Sequence, residues 1–257
     1  MHLELEGKRI LIAGGSRGIG LAIAEAFLRE GARVMLIARS PEPLKRAADR
    51  LVSEHGSDRV LAFPADCTNA NAWPYIIEKI RSMWGGLDAA VANVGDGRGL
   101  HDALPDPEHF AITWRMNFSA AEHTARAAMP LLQSGSGSLL FISSIAGLEA
   151  IGAPTDYSVA KTAILALSKQ LSRKLAPTVR VNCLAPGNVC FPGGSWDAKI
   201  KAEPERIRSL INATVPLRRF AQPMEIADAA VFLCSSRASF ITGACLVVDG
   251  GQTVGVL

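Results

Sequence analysis

A tyrosine and a lysine stand four residues apart at Tyr157 and Lys161, and a serine, Ser144, lies a short distance upstream. Residues at this spacing share one face of a helix, so the phenol and the ammonium are predicted to project together. A phenol ordinarily titrates near pH ~10, and a neighbouring ammonium favours the phenolate and lowers that pKa. Tyr157 is therefore a candidate proton donor or acceptor near neutral pH. The same spacing also arises on solvated helix faces that carry no chemistry.

Short apolar runs alternate with segments of helical length along the whole chain. The runs lack the strict alternation of half-exposed strands, as expected where both faces of a sheet are covered. This order predicts an α/β fold, a doubly wound parallel sheet of about seven strands with helices on both faces. The predicted strands are residues 9–13, 33–37, 60–63, 89–93, 138–143, 179–184 and 245–248. The predicted helices are residues 19–30, 43–54, 72–84, 110–132, 157–175 and 224–234.

No repeat, linker or low-complexity segment interrupts the 257 residues, so we expect one domain over 1–257. One stretch, 188–216, is long for a connection inside a compact domain and has a glycine pair beside aromatic residues. That composition favours a mobile lid that has an apolar inner face and covers a substrate site. An ordinary surface loop is the alternative.

The first predicted strand runs directly into a glycine-rich loop, and a predicted helix follows at once. Glycine permits the backbone to approach a pyrophosphate closely, and a helix N-terminus supplies N–H donors and positive dipole. Glycine turns are common, but this placement at the start of a β/α series indicates dinucleotide binding. The loop residues expected at the cofactor are Gly14, Ser16, Arg17, Gly18, Ile19 and Gly20.

The end of the second strand bears on which dinucleotide is bound. An acidic residue there would hold a ribose 2′-hydroxyl and repel a 2′-phosphate. The strand instead runs into Arg39 without an acid. Because guanidinium geometry suits a phosphate, Arg39 with Arg17 favours NADP(H) over NAD(H). Each arginine, taken singly, could equally be a solvated surface charge.

Composition argues against several other classes of function. The net charge of +3 and the scattered Lys and Arg give no nucleic-acid-binding surface. No apolar stretch reaches membrane-spanning length and the N-terminus is no signal peptide, so we expect a cytoplasmic protein without a membrane partner. An odd number of cysteines without C-x-x-C predicts no disulfide framework and no metal site, only free buried thiols. These are Cys67, Cys183, Cys190, Cys234 and Cys245.

Further motifs follow the predicted elements in order, and together they resemble the short-chain dehydrogenase/reductase family in its short form. Members similar to 3-oxoacyl-acyl-carrier-protein reductases match best in pattern. The resemblance covers essentially the whole chain. It is carried by Gly14, Gly18 and Gly20, then Asp66, Asn93-Val94-Gly95, Asn117, Ser144, Tyr157 with Lys161, Pro186-Gly187, and the tail Thr242-Gly243 and Val248-Asp249-Gly250-Gly251.

This resemblance implies a Rossmann fold that transfers a hydride between NADP(H) and a carbonyl or secondary alcohol. Ser144 would hydrogen-bond the substrate oxygen and Tyr157 would donate or take the proton. Lys161 would bind the nicotinamide ribose and keep the phenol acidic. Asn117 would hold a water that relays protons to Lys161.

The resemblance also assigns cofactor contacts beyond the glycine loop. Asp66 would hydrogen-bond the adenine amino group, and Asn93 would sit against the adenine ribose. Gly95 would also belong to the cofactor-binding residues. The nicotinamide would be bordered by Pro186, Gly187 and Val189.

Three positions depart from the family pattern. Ala13 stands where a Thr usually precedes the first glycine, and Ala92 replaces the first Asn of the motif after the fourth strand. Phe191 stands where a Thr usually touches the nicotinamide amide or the phosphates. Its loss puts the local cofactor contacts, though not the catalytic set, in doubt.

The substrate is not named by the sequence. It should be chosen by residues 96–109, 145–156 and 188–216, which follow strands and should line one cleft. His101 and Arg98 could meet an anionic substrate group, but exposed loop positions are the ordinary interpretation, and Glu149 is equally ambiguous. A β-ketoacyl thioester, a sugar or polyol, a steroid-like ketone and a small diketone all remain open.

Two other functions share part of this pattern. A non-catalytic dinucleotide-binding or scaffold protein can share the fold, because fold alone does not prove chemistry; retention of both Tyr157 and Lys161 argues against it. Sugar-nucleotide epimerases and dehydratases share the Tyr-x-x-x-Lys pattern but differ in glycine spacing and in the size of the C-terminal region.

The resemblance further implies a homotetramer, or a homodimer. Its contacts would pair the helices predicted at 110–132 and 157–175 and would include the last strand. The apolar tail 252–257 is predicted to be buried at such a contact.

Overall fold

The computed structural model describes residues 2–100, 102–132 and 136–255. Within them a parallel sheet runs in the order β3-β2-β1-β4-β5-β6-β7. The strands are β1 Arg9–Ala13, β2 Arg33–Ala38, β3 Val60–Pro64, β4 Ala89–Ala92, β5 Gly137–Ile142, β6 Val179–Pro186 and β7 Cys245–Val248. The predicted doubly wound α/β fold is confirmed.

The helices pack on both faces of this sheet because successive strand residues point to opposite sides. In β1, Ile10 and Ile12 face one core and Leu11 and Ala13 face the other. The helices are α1 Gly18–Arg29, α2 Pro41–His55, α3 Trp73–Trp84, α4 Pro107–Trp114, α5 Ala120–Leu132, α6 Thr155–Leu175, α7 Ser195–Ala202, α8 Pro204–Thr214 and α9 Pro223–Cys234.

The two cores explain why the strands read as continuous apolar runs. One core joins the sheet to α1, α2 and α9, through residues such as Phe27, Leu51 and Ile226. The other joins it to α3, α5 and α6, through residues such as Ile80 and Leu132. Both faces are therefore closed to water, and polar side chains collect where the strands end.

The order of the strands reverses direction beside β1, which lies between β2 and β4. Chain connections leave β1 and β4 toward opposite sides of the sheet at such a point. A crevice opens there at the carboxyl ends of the strands, and in open α/β sheets it is the usual ligand site.

The prediction of one continuous helix over 110–132 is wrong in detail. The observed helix begins earlier, at Pro107, and the Asp106 side chain caps it by accepting from His109 N at 2.9 Å. It is then interrupted by a π-helical turn over Arg115–Ser119 before α5 continues. Insertions of this kind alter the direction of side chains and occur often at functional sites.

All five cysteines are free thiols. Cys67, Cys183 and Cys234 are buried as predicted, but Cys190 is partly exposed and Cys245 is exposed at the edge strand β7. The expectation of uniformly buried thiols is therefore wrong, because β7 ends the sheet and has one neighbouring strand. Among the described helices, none is long and apolar enough to cross a membrane.

Candidate active site

A cleft of about 950 Å³ lies at the carboxyl ends of the strands. Its volume is at the upper end of the range common for small-molecule and cofactor sites. Its walls include the glycine loop and the ends of β2, β4, β5 and β6. Most of the predicted cofactor residues, together with Ser144, Tyr157 and Lys161, therefore line one cavity. The predicted residues Gly18, Gly20 and Asn117 are not among its lining residues.

The glycine loop folds so tightly that side chains would not fit. Gly14 and Gly18 have φ of +83° and +57°, a region that L side chains rarely adopt. A Cβ on Gly20 would overlap the Gly14 carbonyl and would stand 2.5 Å from Asn93 Nδ2. Asn93 Nδ2 donates to Gly14 O at 3.0 Å and holds this loop against the end of β4.

Ser16, Arg17 and Ile19 border the cleft, as expected for the start of α1. The backbone N–H groups of the first helical turn have no partners inside the helix, so they are available to an anion. Arg17 is exposed and donates to Gly193 O at 3.3 Å. This contact joins the glycine loop to the segment that precedes α7.

Phe191 lies directly on the glycine loop. A Cβ on Gly18 would stand 2.5 Å from Phe191 Cζ, so the far end of the ring packs against that glycine. A Cβ on Gly194 would also come within 3.1 Å of the same atom. Phe191 thus stands where the family pattern has a Thr hydroxyl, and its apolar ring covers Gly18.

Arg39 and Asp66 line the cleft at the ends of β2 and β3. Arg39 is exposed, with no acidic residue following it in the loop to α2. The Asp66 carboxylate accepts from Thr68 N at 2.9 Å and Thr68 Oγ1 at 2.8 Å. These bonds fix the Asp66 carboxylate at the edge of the cleft. The family resemblance predicts that the adenine would bind at this end.

The cleft is also lined by three of the predicted catalytic residues, Ser144, Tyr157 and Lys161. Ser144 follows β5, and its Oγ accepts from Ala146 N at 3.2 Å. Tyr157 lies in the first turn of α6, is partly exposed, and lines the same cavity as Ser144. Lys161 is one turn further on, 3% exposed, with Nζ 5.6 Å from the centre of the Tyr157 ring.

Lys161 is held by the main chain of β5. Its Nζ donates to Ile142 O at 3.1 Å, and Ser143 Oγ donates to Lys161 O at 2.8 Å. A Cβ on Gly147 would stand 2.7 Å from the Lys161 carbonyl carbon, so a glycine is required for α6 to pack this closely. The strand end therefore sets both the position of the helix and the direction of the ammonium.

Asn117 lies in the π-helical turn and is 1% exposed. Its Nδ2 donates to Thr113 O at 3.1 Å and to Asp96 O at 3.2 Å, and its Oδ1 accepts from Asp96 N at 3.1 Å. A Cβ on Gly95 would stand 2.8 Å from Asn117 Oδ1 and 2.9 Å from Lys161 Nζ. Asn117 and Lys161 thus meet across Gly95.

The pKa of the Tyr157 phenol is raised from its ordinary value of 10.0, with burial as the largest cause. The Ser144 hydrogen bond lowers this pKa and the Asp96 charge raises it. The predicted lowering by Lys161 is therefore wrong for the protein alone. Burial instead lowers the pKa of Lys161 from 10.5 to about 8, so part of the ammonium charge is lost just above neutral pH.

Pro186, Gly187 and Val189 follow β6 and border the cleft. A Cβ on Gly187 would stand 2.7 Å from Asp249 Cβ, so the end of β7 packs directly on this glycine. Val189 is buried and pairs with Ala221 in a short parallel bridge. The chain is thereby fixed at the start of the long segment 188–216.

Helices α7 and α8 form that segment and stand over the cleft. Ile207, Ile211 and Val215 make a small core of their own, covered by Trp196, Ile200 and Phe220. The rings of Trp196 and Phe220 are 5.3 Å apart, and Lys199 Nζ lies 4.7 Å from the Trp196 ring. Trp196, Lys199, Arg206 and Leu210 line the cavity.

The structure gives contacts for two of the three loop residues whose role the sequence left open, Arg98 and Glu149. Arg98 makes an ion pair with Asp96 at 2.8 Å and lines the cleft. Glu149 accepts from Val254 N at 2.9 Å and ties the C-terminal segment to the site. His101 and the last two residues of the predicted tail, 256–257, lie outside the described residues.

Sequence reasoning missed the groups that orient the predicted ones. Asp96 holds Asn117 through its main chain, and Ile142 holds Lys161 through its carbonyl. Main-chain groups leave no trace in a residue pattern, so no signal could have found them. Trp196 follows the glycine pair in the segment 188–216, and an aromatic residue beside that pair was the available signal.

Comparison with known proteins places the chain in a family. A family model described as enoyl-(acyl carrier protein) reductase matches residues 13–253. The 3-oxoacyl-[acyl-carrier-protein] reductase FabG of Chlamydia muridarum is 33% identical over 98% of this chain and 100% of its own. The structure of L-sorbose reductase from Gluconobacter frateurii, complexed with NADPH and L-sorbose, has 32% identity and a TM-score of 0.90 and covers 100% of both chains.

An NADPH-bound short chain oxidoreductase from Pseudomonas aeruginosa PAO1 is also similar, with 27% identity and a TM-score of 0.91 over 97% of this chain and 98% of the other. These matches span the glycine loop, the Ser144, Tyr157 and Lys161 cluster, and the C-terminal strand. The chain belongs to the short-chain dehydrogenase/reductase family of oxidoreductases.

Proposed function

We propose that this protein transfers a hydride between NADP(H) and a carbonyl or secondary alcohol, with Tyr157 as general acid or base. The carrying observation is that Ser144, Tyr157 and Lys161 line the same cleft as the glycine loop. Two hydroxyl groups can then donate to one substrate oxygen. Such paired donors stabilise charge that develops on that oxygen.

The residues present fit a dinucleotide. Gly14, Gly18 and Gly20 form a tight turn in which an added Cβ would collide with neighbouring chain atoms, and the first turn of α1 leaves N–H groups without helical partners at this turn. Asp66, Asn93, Gly95, Pro186, Gly187 and Val189 would complete the binding surface. When bound, the nicotinamide supplies or accepts the hydride. The protein supplies orientation and one proton.

Proton transfer would begin at the phenol of Tyr157. Its raised pKa keeps it protonated at neutral pH, which suits a donor to a carbonyl oxygen. The Ser144 hydroxyl lowers the cost of the phenolate that donation leaves behind. Lys161, with a pKa of about 8, is largely charged at neutral pH and would stabilise the phenolate further.

Asn117 would support return of the proton. Its Oδ1 and the Lys161 ammonium lie against the same position of Gly95, and each has room for one more hydrogen bond. A water held between such groups could pass a proton to Lys161 at little cost. Because Asp96 and Thr113 already fix the amide, Asn117 would need no rearrangement.

Oxidation of NADPH with a panel of carbonyl compounds tests the reaction. The panel should contain a β-ketoacyl thioester, a keto sugar, a steroid ketone and a small diketone. Tyr157→Phe should lose activity by at least 10²-fold, the lower range for removing a general acid. The control is Tyr75→Phe, because Tyr75 is the other tyrosine of the chain and is 73% exposed on α3. Full activity in Tyr157→Phe would refute the assigned role.

We extend the proposal to cofactor choice, supported by Arg17 and Arg39 at the cleft and by the lack of an acid after β2. A charge-assisted bond to the 2′-phosphate contributes about 1.5–3 kcal/mol. Arg39→Ala should therefore raise the KM for NADPH by about 10- to 100-fold and leave that for NADH unchanged. Arg46→Ala, an exposed arginine of α2 outside the cleft, is the control. Equal use of NADH and NADPH by the native protein would contradict the argument.

We also propose one domain over 1–257 with the lid at 188–216, built from α7 and α8. The lid has its own small apolar core, so it could move as a unit over the cleft. Trp196 and Leu210 present apolar surface to the cavity, and Lys199 and Arg206 present charge. The relatives act on different substrates, a 3-oxoacyl carrier protein and L-sorbose by name, so the substrate class is left to the panel.

Assembly into a homotetramer, or a homodimer, completes the proposal. Support comes from an exposed apolar groove on α4, formed by Leu104, Phe110 and Trp114 with neighbouring prolines. Leu104 and Ile112 are 74% and 45% exposed, which is unusual for side chains of their size in a monomer. Light scattering should show an oligomer. A stable monomer at micromolar concentration would contradict this part of the proposal.

A further inference from the structure

A fully buried carboxylate stands immediately before the proposed catalytic tyrosine. Asp156 is 0% exposed at the start of α6. Its Oδ1 accepts from the main-chain N–H of Tyr157 at 2.8 Å. Its Oδ2 lies 3.6 Å from Nε2 of His109 on α4.

The two facing atoms, Asp156 Oδ2 and His109 Nε2, have no hydrogen-bond partner within the described part of the chain. A buried carboxylate is costly unless it is paired, and the nearest group able to pair with it is this imidazole. The position at the N-terminus of α6 offsets part of that cost through the helix dipole. A well-packed apolar side chain would serve stability at least as well, so stability alone does not account for Asp156.

Tyr157 N–H is one of the first N–H groups of α6, which have no partner inside the helix. Asp156 Oδ1 supplies that partner and so fixes the main chain that carries the phenol. The first turn of a helix otherwise frays easily. A small rotation there would move the phenol away from Ser144.

His109 belongs to the helix that leads into the π-helical turn of Asn117. The pair therefore connects the two segments that present Asn117 and Tyr157, and α4 packs against α6 at this point. Thr155 Oγ1 donates to Ala103 O at 2.9 Å and makes a second connection nearby. Gly99 packs beside the carboxylate, since a Cβ there would stand 2.8 Å from Pro154 Cβ and 3.5 Å from Asp156 Oδ1.

We propose that Asp156 and His109 are positioning residues that hold Tyr157 in register with Ser144 and Asn117. The inference rests on the proposed function in so far as Tyr157 is the proton donor. Asp156 acts through the main chain of Tyr157 and touches neither substrate nor cofactor. His109 holds the second carboxylate oxygen and ties α6 to α4.

Two substitutions of Asp156 separate positioning from packing. Asp156→Leu keeps the branched shape and the number of non-hydrogen atoms of the side chain but removes both acceptors. Asp156→Asn keeps an oxygen for Tyr157 N–H and can place an N–H toward His109. We expect kcat to fall about 10- to 100-fold in Asp156→Leu with KM within about threefold of native, as for a misplaced catalytic group. Asp156→Asn should recover kcat to within a few-fold of the native value.

A second measurement does not depend on turnover. The chain has two tyrosines, so ¹⁵N-tyrosine labelling gives two amide signals, from Tyr157 and Tyr75. Exchange of the Tyr157 amide with solvent should accelerate at least about tenfold in Asp156→Leu and stay near native in Asp156→Asn, because the bond to Oδ1 protects it. The Tyr75 amide should not change in either variant.

His109→Gln tests the other half of the pair and keeps the inference testable if Asp156→Leu does not fold. It should lower kcat by several-fold and accelerate Tyr157 amide exchange, whereas His55→Gln at the end of α2 should do neither. Unchanged exchange and kcat in the folded Asp156→Leu or His109→Gln variants would overturn the inference. So would an Asp156→Asn variant as impaired as Asp156→Leu.

The two proposals fail in different ways. If the native protein reduces a carbonyl and Tyr157→Phe does not, but Asp156→Leu and His109→Gln behave as native, the function stands and the positioning role falls. If no carbonyl is reduced while the Tyr157 amide responds as expected, the structural role stands and the proposed function falls.

Discussion

Lys161 offers a quantitative test of the buried site through the pH dependence of stability. Burial lowers the pKa of this lysine from 10.5 to about 8 in the folded protein. Below about pH 8 the folded protein therefore holds the charged ammonium of Lys161 in a desolvated, buried position. A shift of this size corresponds to about 3 kcal/mol of destabilisation at neutral pH. Lys161→Met removes the titrating group and with it this cost.

The sign follows from proton binding. Between pH 8 and 10.5 the folded state has released the proton of Lys161 while the unfolded state still holds it. The free energy of unfolding therefore rises with pH in this window. For the native protein measured relative to Lys161→Met, the rise should be about 2 kcal/mol from about pH 7 to about pH 9.5. Below about pH 7 the difference should be flat.

The substitution also removes the hydrogen bond from Nζ to the Ile142 carbonyl. An unsatisfied buried carbonyl costs about 1–3 kcal/mol, which offsets much of the gain at neutral pH. This loss does not depend on pH, so it shifts the curve without changing its slope. The slope is therefore the quantity to measure.

Urea unfolding of both proteins without cofactor, at a series of pH values, gives that slope. Lys174→Met is the control because Lys174 lies on the same helix and is exposed; it should run parallel to the native protein. Parallel curves for Lys161→Met and native protein would refute the assignment of a desolvated lysine at this site.

Further outcomes follow from close contacts and charges elsewhere. Gly95→Ala should lower kcat by about 10- to 100-fold without unfolding the protein, since its Cβ would stand 2.8 Å from Asn117 Oδ1 and displace that amide. Gly97→Ala, whose Cβ would meet the Tyr157 ring at an ordinary van der Waals distance of 3.5 Å without displacing it, should keep most activity. Asp88 accepts from Arg9 N and Nε, and these bonds lower its pKa below 3.8 against the opposing effect of burial. Asp88→Asn should therefore be less stable than native at pH 7, by a margin that fades as the pH falls below 3.8 in acid unfolding experiments. A margin independent of pH would contradict the ion-pair account.

Much of the fold was predictable because its signals are local. Strand β1 and strand β7 begin and end at the predicted residues, and the other strands differ by one or two positions. Continuous apolar runs identify strands covered on both faces whatever their neighbours are. Glycines at Gly14, Gly18 and Gly20 likewise reflect a local backbone demand.

The errors arose where distant contacts compete with local pattern. The apolar spacing of 110–132 reads as one helix, but the π-helical turn at Arg115–Ser119 presents Asn117 to the main chain of Asp96, which is 21 residues away. Exposure of Cys245 depends on the strand order, which places β7 at the edge. Neither relation appears within a window of neighbouring residues.

The sequence by itself determined that Tyr157, Lys161, Ser144 and the glycine loop would meet. Parallel strands bring their carboxyl ends to one edge, so residues placed after strands converge whatever packs around them. The tertiary structure alone decided how these groups titrate and what orients them. Burial raises the pKa of Tyr157 and lowers that of Lys161, and it brings His109 to Asp156. Desolvation is a sum over contacts from many segments, so the spacing of two residues on one helix does not reveal it.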